Sequence, residues 1–296
     1  MAIIAKMASR SPIPKRVAVC SYQRIAGSVD LAQAIGERLA RAGVQAVQGT
    51  LVDPALRGAV LNGEVDLLIA LGGDGTMLRA GHLCGPHGVP VLGINLGHLG
   101  FLIEVERGQW AAALERVLAG DYWLEGRMML RVTWMQGERR QGEWQVLNEC
   151  VVARGRSVRL VELVTEIDGT YLTTYAADAL IVATPTGSTA YALAAGGPIL
   201  PPELRNILIV PVAPHFSVDR AVVLHEGSTV RITVRTDHQA TLSMDGQTPV
   251  DLQDGDRVEV RAGEHTVHFV RLQDPGYFYR DLRRRMRRDE TDGADA

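Results

Sequence analysis

The sequence predicts an α/β N-terminal domain with a parallel sheet, followed by a β-rich, sandwich-like C-terminal domain. Over about the first 120 residues, short apolar runs alternate with helical patterns, an order typical of parallel strands covered by helices. After about residue 128 the runs are alternating or β-branched, and turn dipeptides separate them. We therefore expect an α/β domain over residues 1–121 and a β-rich domain over 122–270, with the tail 271–296 a candidate to pack back on the first.

The elements of the first half follow from the spacing of apolar residues. Continuous apolar runs predict strands at Arg16–Cys20, Val65–Leu71 and Val89–Ile94. Apolar residues at helical spacing, with glycine beyond two of the ends, predict helices at Ser28–Ala42, Met77–Cys84 and Trp110–Leu118.

The second half is predicted to consist almost entirely of strands. Alternating or β-branched runs predict them at Met129–Met135, Trp144–Ala153, Leu160–Ile167, Tyr171–Tyr175, Ala179–Ala183, Ile207–Val212, Val230–Thr236 and Arg257–Val260. Turn dipeptides lie between them at Gln136-Gly137, Asp168-Gly169, Glu226-Gly227, Asp245-Gly246 and Asp254-Gly255. One short helix is expected from about Thr189 to the glycine pair Gly196-Gly197.

The composition excludes several classes of protein. The 31 Lys and Arg against 34 Asp and Glu leave a net charge of −3, which argues against a chain that mainly coats nucleic acid. The apolar runs fall short of the ~20 residues that a membrane helix needs. Three distant cysteines, Cys20, Cys84 and Cys150, fit neither a disulfide framework nor a zinc site. We therefore expect a cytoplasmic protein without a membrane partner. We do not expect nucleic acid as a partner.

The chain closes with an arginine-rich tail, which has six arginines between positions 280 and 288. We expect a solvated C-terminal helix, because cations are favourable at a helix C-terminus. A nucleic-acid-binding arm is the alternative, and steeply salt-dependent DNA binding would be its signature.

A glycine-rich segment, Gly72-Gly73-Asp74-Gly75-Thr76, stands between a predicted buried strand and a predicted helix. Its glycines allow a ligand to approach the backbone, and the N–H groups of a helix start bind phosphate. A phosphate repels a carboxylate, so a simple phosphate-binding loop would not contain Asp74. Its presence is explained if it accepts a proton from an attacking hydroxyl or lies near a divalent cation. The alternative is that Asp74 caps the helix that begins near Met77.

Two further segments carry polar groups at strand ends. Asn148-Glu149 combines a donor with acceptors and can hold the two hydroxyls of a ribose, although a plain surface pair is the alternative. The segment from Asp178 to Tyr191 passes from a buried strand into a run of hydroxyl and small residues that can bind a polar ligand or simply cap a helix. Ser188 lacks the Gly-x-Ser-x-Gly context of a nucleophile.

Taken together, these segments resemble the NAD kinase family. The motifs appear in the family's order as Gly72–Thr76, Gly93–Leu102, Leu147–Glu149, Thr184–Tyr191 and Gly196-Gly197-Pro198. The resemblance implies phosphorylation of the 2′-hydroxyl on the adenosine ribose of NAD, with ATP or polyphosphate as donor and Mg²⁺ or another divalent cation. It also implies an NAD-binding role for the β-rich domain and a homo-oligomer, a dimer or a tetramer.

The resemblance also implies the roles of individual residues. Asp74 would be the catalytic proton acceptor and would touch NAD, and no protein side chain is expected as a dedicated metal ligand. The other NAD-binding residues would be Gly75, Asn148, Glu149, Arg159, Ala176, Asp178, Thr186, Thr189, Ala190, Tyr191, Ala192, Leu193, Ala194, Ala213 and Gln247. The phosphate donor would lie against Gly72, Gly73, Gly75, Thr76 and Arg79.

Two other functions remain open at this point. A kinase for a lipid or a sugar alcohol could share the glycine loop, but it would leave Asn148-Glu149 and Thr184–Tyr191 without a purpose. A dinucleotide sensor could bind NAD through the same residues without phosphorylating it.

Overall fold

The computed structural model describes residues 11–22, 24–97, 100–215 and 219–286, without the side chains of 283–286. The chain forms two compact units. The α/β unit comprises Met1–Gly126 and His268–Ala296, and the β unit comprises Arg127–Val267. The last arginines of the predicted tail and His98-Leu99 of the second motif lie outside the described residues.

The α/β unit contains a parallel sheet. Its strands are β1 (Arg16–Cys20), β2 (Gln45–Gly49), β3 (Leu67–Gly72), β4 (Val91–Asn95) and β5 (Val105–Glu106). They pair in the order β5-β4-β3-β1-β2, and all four pairings are parallel. The helices are α1 (Ser28–Arg41), α2 (Pro54–Leu61), α3 (Asp74–Cys84) and α4 (Trp110–Leu118). This arrangement confirms the predicted α/β fold class.

Four elements of this unit differ from the prediction. The sequence does not predict β2, because an exposed edge strand has no continuous apolar run, or β5, which has only two residues. It also does not predict α2, a helix of 8 residues that begins with Pro54 and is capped by the Asp53 side chain. The fourth is α3, which begins at Asp74 and not near Met77. Glycines are poor helix formers, so the first turn did not show in the pattern.

The β unit contains antiparallel strands in two sheets. The strands are β6 (Trp123–Gln136), β7 (Arg139–Val146), β8 (Glu149–Arg154), β9 (Val161–Ile167), β10 (Thr170–Ala177), β11 (Ala179–Ala183), β12 (Asn206–Val212), β13 (Val222–His225), β14 (Val230–Arg235), β15 (Ala240–Met244), β16 (Val250–Leu252) and β17 (Arg257–Arg271). One sheet contains β10-β9-β14-β17 and the hairpin β6-β7; the other has the order β13-β12-β11-β8-β15-β16. Side chains of both sheets, such as Leu163 and Ile209, share one buried apolar cluster, which confirms the β-rich fold class.

The short strands β13, β15 and β16 were not predicted, and β6 begins at Trp123 and not at Met129. Three other predicted elements of the β unit also differ from the structure. The predicted strand Trp144–Ala153 is broken at Leu147-Asn148, and its two parts, β7 and β8, belong to different sheets. The last strand extends far beyond Val260. The predicted helix near Thr189 is a 3-10 turn at Gly187–Thr189 followed by the short α5 (Tyr191–Ala194).

The end of the chain belongs to the α/β unit. Phe269 of β17 pairs in parallel with Val91 of β4, and α6 (Tyr277–Met286) follows. The Trp123 indole N–H donates to the Gln273 carbonyl at 2.7 Å, and the Arg116 guanidinium donates to the Leu272 carbonyl at 2.8 Å. Among the described residues, none of the helices has the length and apolar character needed to span a membrane.

Candidate active site

The glycine loop joins the buried strand β3 to α3 at the carboxyl end of the parallel sheet. A Cβ on Gly72 would lie 2.3 Å from the Thr76 hydroxyl oxygen, so this tight approach requires glycine. Gly73 is the extended N-cap residue of α3, and Gly75 on the first turn is exposed. A helix N-terminus presents N–H groups and a partial positive charge, which is the usual geometry of a phosphate site.

The Asp74 carboxylate is oriented by the backbone of a second loop. Its Oδ2 accepts the Phe101 N–H at 2.6 Å, and its Oδ1 accepts the Leu102 N–H at 3.1 Å. A Cβ on Gly100 would lie 1.9 Å from Oδ1, so the loop passes directly against the carboxylate. Within the described part of the chain, no side chain caps α3. The alternative in which Asp74 is the cap of this helix is therefore wrong.

A cavity of about 290 Å³ opens beside the start of α3, within the α/β unit. Thr76 and Arg79 from α3 line it, together with Tyr22 and the ends of β1 and β2. The exposed Arg79 guanidinium lies over the Tyr22 ring, 5.2 Å from its centroid. A cation and a flat aromatic face at the mouth of a glycine loop suit a ligand with a polyanionic part and a planar part.

In the β unit, Asp245 organises the Asn148-Glu149 segment. Its carboxylate accepts three consecutive backbone N–H groups, from Leu147 at 2.7 Å, Asn148 at 2.8 Å and Glu149 at 2.9 Å. The Asp245 N–H donates in return to the Glu149 carbonyl at 3.0 Å. The sequence predicts Asp245 only as part of a turn. Its positive φ of 46° bears out the turn, but the anchoring role depends on residues almost one hundred positions away.

The Glu149 carboxyl group is buried next to that anchor. Burial, and secondly the charge of Asp245, raise the pKa of Glu149 to about 8, so the group is mostly protonated at neutral pH. Its Oε2 has no hydrogen-bond partner among the described residues. A protonated carboxyl can donate as well as accept a hydrogen bond, which suits a sugar hydroxyl as ligand.

The Thr184–Tyr191 segment packs against Asn148. The Thr184 hydroxyl donates to the Leu147 carbonyl at 2.6 Å, and the Thr184 N–H donates to the Asn148 carbonyl at 2.8 Å. A Cβ on Gly187 would lie 2.2 Å from the Asn148 carbonyl oxygen. The structure therefore brings together two segments that the sequence analysis singled out separately. The buried Ser188 hydroxyl bonds to the Pro185 carbonyl at 2.6 Å, as expected for a structural serine.

The remaining predicted NAD-binding residues occupy several places on the β unit. The Asp178 carboxylate accepts from the Arg154 guanidinium at 2.6 Å, and the Asp178 N–H donates to the Val212 carbonyl next to Ala213. The exposed Arg159 pairs with Asp237 at 3.1 Å. The Ala176 carbonyl accepts from the His215 N–H at 2.8 Å. The others lie as follows: Gln247 is exposed beyond the Asp245 turn, Thr186 is buried, Thr189 and Ala190 are half-buried, Tyr191, Leu193 and Ala194 are exposed, and Ala192 is in the core.

This fold and these sites define a kinase, an enzyme that transfers a phosphoryl group. The chain belongs to the NAD kinase family: residues 26–122 match the ATP-NAD kinase N-terminal domain and residues 147–272 match the ATP-NAD kinase C-terminal domain. The match confirms the resemblance carried by the motifs.

Relatives and solved structures agree with that assignment. The NAD kinase of Chloroflexus aurantiacus is 40% identical over 275 residues, which cover 93% of this chain and 99% of that protein. The NAD kinase of Symbiobacterium thermophilum is 46% identical over 228 residues, covering 76% and 79% of the two chains. Yeast NADH kinase complexed with NADH superposes with a TM-score of 0.81 at 25% identity, covering 96% of this chain and 89% of that one. An NAD kinase from Archaeoglobus fulgidus in complex with ATP has a TM-score of 0.71 at 25% identity, covering 90% and 96%.

Proposed function

We propose that this chain phosphorylates the 2′-hydroxyl on the adenosine ribose of NAD and so produces NADP, with Asp74 as the proton acceptor. The observation that carries the proposal is the Asp74 carboxylate, which lies within the glycine loop and is oriented by two N–H groups. An ionised carboxylate has about four lone-pair sites, so two such bonds leave room for a hydroxyl. Asp74 takes the proton while the hydroxyl oxygen bonds to phosphorus and the bond from that phosphorus to the rest of the donor breaks, which releases ADP or a polyphosphate shortened by one phosphate.

On the acceptor side, we propose that Asn148 and Glu149 bind ribose hydroxyls. The buried and mostly protonated Glu149 supports this role, because it can donate to one hydroxyl oxygen and accept from another. The further NAD contacts proposed are those of the family, at Gly75, Arg159, Ala176, Asp178, Thr186, Thr189–Ala194, Ala213 and Gln247. The exposed Tyr191 ring offers a flat face for a base.

For the phosphoryl donor, we propose ATP or inorganic polyphosphate. Gly72, Gly73, Gly75 and Thr76 form the phosphate loop, and the Arg79 guanidinium lines the adjacent cavity. The family supports ATP as donor, because the Archaeoglobus fulgidus relative was crystallised with ATP.

The family also implies Mg²⁺ or another divalent cation. Among the described residues, no group of three His, Cys, Asp or Glu side chains converges on one point. Mg²⁺ commonly keeps several waters and binds one or two carboxylates together with substrate phosphates. The glycine loop offers a single carboxylate, that of Asp74, as a metal ligand. This fits a cation held mainly by the phosphate oxygens of ATP or polyphosphate. Such a cation neutralises charge on the transferred phosphoryl group.

We further propose a cytoplasmic homo-oligomer, a dimer or a tetramer. All three cysteines are free and buried, which suits a reducing compartment. The oligomer follows from the family resemblance alone, and size-exclusion chromatography with light scattering tests it.

The activity is tested with purified protein, NAD, Mg²⁺ and either ATP or polyphosphate. NADP is read with an NADP-specific dehydrogenase, and NAD binding is measured on the same preparation by calorimetry. We expect NADP with at least one donor and none after chelation of the metal. NAD binding without NADP from either donor would identify the dinucleotide sensor instead. Phosphorylation of a lipid or sugar alcohol, with NAD untouched, would identify the other kinase.

A further inference from the structure

A buried arginine in the α/β unit has no part in the function proposed above. Arg271, at the end of β17, is 2% exposed. Its Nε donates to the Glu125 carboxylate at 2.9 Å, and its Nη1 donates to the Leu102 carbonyl at 2.8 Å. The Tyr277 hydroxyl donates to the other Glu125 oxygen at 2.8 Å, and the guanidinium lies 4.8 Å from the Tyr277 ring centroid. The position of this guanidinium is therefore fixed from several sides.

The bond to Leu102 connects this arginine to the proposed proton acceptor. Leu102 is held at both ends, because its carbonyl accepts from Arg271 while its N–H donates to Asp74 Oδ1 at 3.1 Å. Two residues further on, the Glu104 carboxylate accepts the Leu272 N–H, so the same segment is attached to the end of β17 a second time. These attachments hold the segment whose Phe101 and Leu102 N–H groups bind the Asp74 carboxylate.

The energetics of buried ion pairs favour a positioning role over a purely stabilising one. A buried ion pair contributes little net stability compared with apolar side chains of the same volume, because both charges lose their hydration. The Arg271–Glu125 pair is almost fully removed from solvent, with side-chain exposures of 2% and 4%. The guanidinium also donates a hydrogen bond to the Leu102 backbone carbonyl, and an apolar residue could not form that bond.

We propose that Arg271 is a positioning residue for Asp74, acting through the backbone of Leu102. The inference rests on the proposed function, in which Asp74 accepts the proton of the attacking hydroxyl. A displacement of about 1 Å at a reacting group can cost about 10²-fold in rate. Loss of the hydrogen bond from Arg271 to the Leu102 carbonyl therefore lowers kcat and leaves the KM for NAD nearly unchanged.

The first test compares Arg271→Lys with Arg257→Lys. Lysine keeps the charge, but a single ammonium group cannot reproduce the fork that holds Glu125 and Leu102 together. Arg257 is the control: its guanidinium also binds a carboxylate, that of Glu138, and a backbone carbonyl, that of Gly137, and all three residues belong to the β unit. We expect kcat to fall about tenfold in Arg271→Lys and less than about twofold in Arg257→Lys, with KM for NAD within about twofold in both. An unchanged kcat in Arg271→Lys would overturn the inference.

The decisive test is a double-mutant cycle with Asp74→Asn. If Arg271 acts by orienting the Asp74 carboxylate, Arg271→Lys has less than about a twofold further effect on kcat once that carboxylate is absent. A general structural defect lowers kcat by the same factor in both backgrounds, and that result would refute the positioning role. Undiminished turnover in Asp74→Asn alone would instead refute the proposed function, so the two failures are distinguishable.

A milder variant serves if Arg271→Lys unfolds at the assay temperature. Tyr277→Phe keeps both buried charges and the aromatic ring beside the guanidinium, and it removes only the hydroxyl group that donates to Glu125. We expect about a threefold loss in kcat with the same non-additivity towards Asp74→Asn. Additive losses for this variant would count against the inference just as they would for Arg271→Lys.

Discussion

The substitution Asp245→Asn tests how the Asn148-Glu149 segment, the proposed ribose-binding segment of the β unit, is held. The Asp245 carboxylate accepts the Leu147 N–H with one oxygen and the Asn148 and Glu149 N–H groups with the other. Asparagine keeps one oxygen and replaces the second with an amide group that is a donor. At least one buried N–H therefore faces a donor, and the other bonds lose their charge assistance.

The expected magnitude follows from those three bonds. A hydrogen bond to a charged group contributes about 1.5–3 kcal/mol, and a neutral one about 0.5–1.5 kcal/mol. One lost bond at about 1.5–3 kcal/mol and two bonds weakened by about 1–1.5 kcal/mol each give a decrease of about 3.5–6 kcal/mol in the free energy of unfolding. Asparagine readily adopts the positive φ of 46° found at this position, so backbone strain adds little to the loss of stability.

Urea unfolding followed by fluorescence measures the loss, and calorimetry with NAD measures its effect on binding. Asp168→Asn is the matched control, because Asp168 also has a positive φ, of 52°, and precedes a glycine, but within the described part of the chain its carboxylate accepts only the Thr229 N–H. Its exposed position gives an expected loss below about 1 kcal/mol. Equal losses in the two variants would show that the triple anchor is not what holds Asn148-Glu149, and the reasoning would fail.

Three further predictions concern the same sites. Asp74→Asn should lower kcat by about 10²–10⁴-fold in steady-state assays with the melting temperature nearly unchanged; full activity would remove Asp74 from its role. The raised pKa of Glu149 means that the native state holds a proton which the unfolded chain releases, so this group's contribution lowers the free energy of unfolding as pH rises from about 4.5 to about 8. Denaturation at a series of pH values should show that slope, and Glu149→Gln should lack it. Gly187→Ala should weaken NAD binding at least tenfold, measured by calorimetry, because its Cβ would lie 2.2 Å from the Asn148 carbonyl oxygen; Gly58→Ala in α2, with open space around it, should not.

The sequence predicted the fold class because the buried elements have strong local patterns. Strand β1 and helix α4 begin and end at the predicted residues, and β11 does as well. Elements with weak patterns were missed or misplaced. The edge strand β2 has little apolar character, and α2 is only 8 residues long. Helix α3 starts at Asp74 because Gly73 can act as its N-cap, and neither feature shows in apolar periodicity.

The candidate site could be predicted only where local chemistry marks it. The glycine loop and the Asn148-Glu149 pair stand at strand ends, where polar residues are conspicuous. The anchors of these groups could not be predicted, because they come from distant parts of the chain. Asp245 binds N–H groups 96 to 98 positions away, and Arg271 binds a carbonyl 169 positions away. Such pairings depend on the folded backbone, and apolar periodicity carries no information about them.

The chain path has a consequence for synthesis. The α/β unit is interrupted after Gly126 and resumes only at His268, so its last portion emerges from the ribosome after the whole β unit. Domains generally fold as units during translation, the N-terminal one first. Here the α/β unit begins to be synthesised first, but the hydrogen bond from Arg271 to the Leu102 carbonyl and the bond from Tyr277 to Glu125 can form only after the β unit has been synthesised. A nascent chain that has not yet reached Arg271 therefore carries the complete glycine loop, but it lacks the guanidinium that binds the Leu102 carbonyl, on the same residue whose N–H binds Asp74.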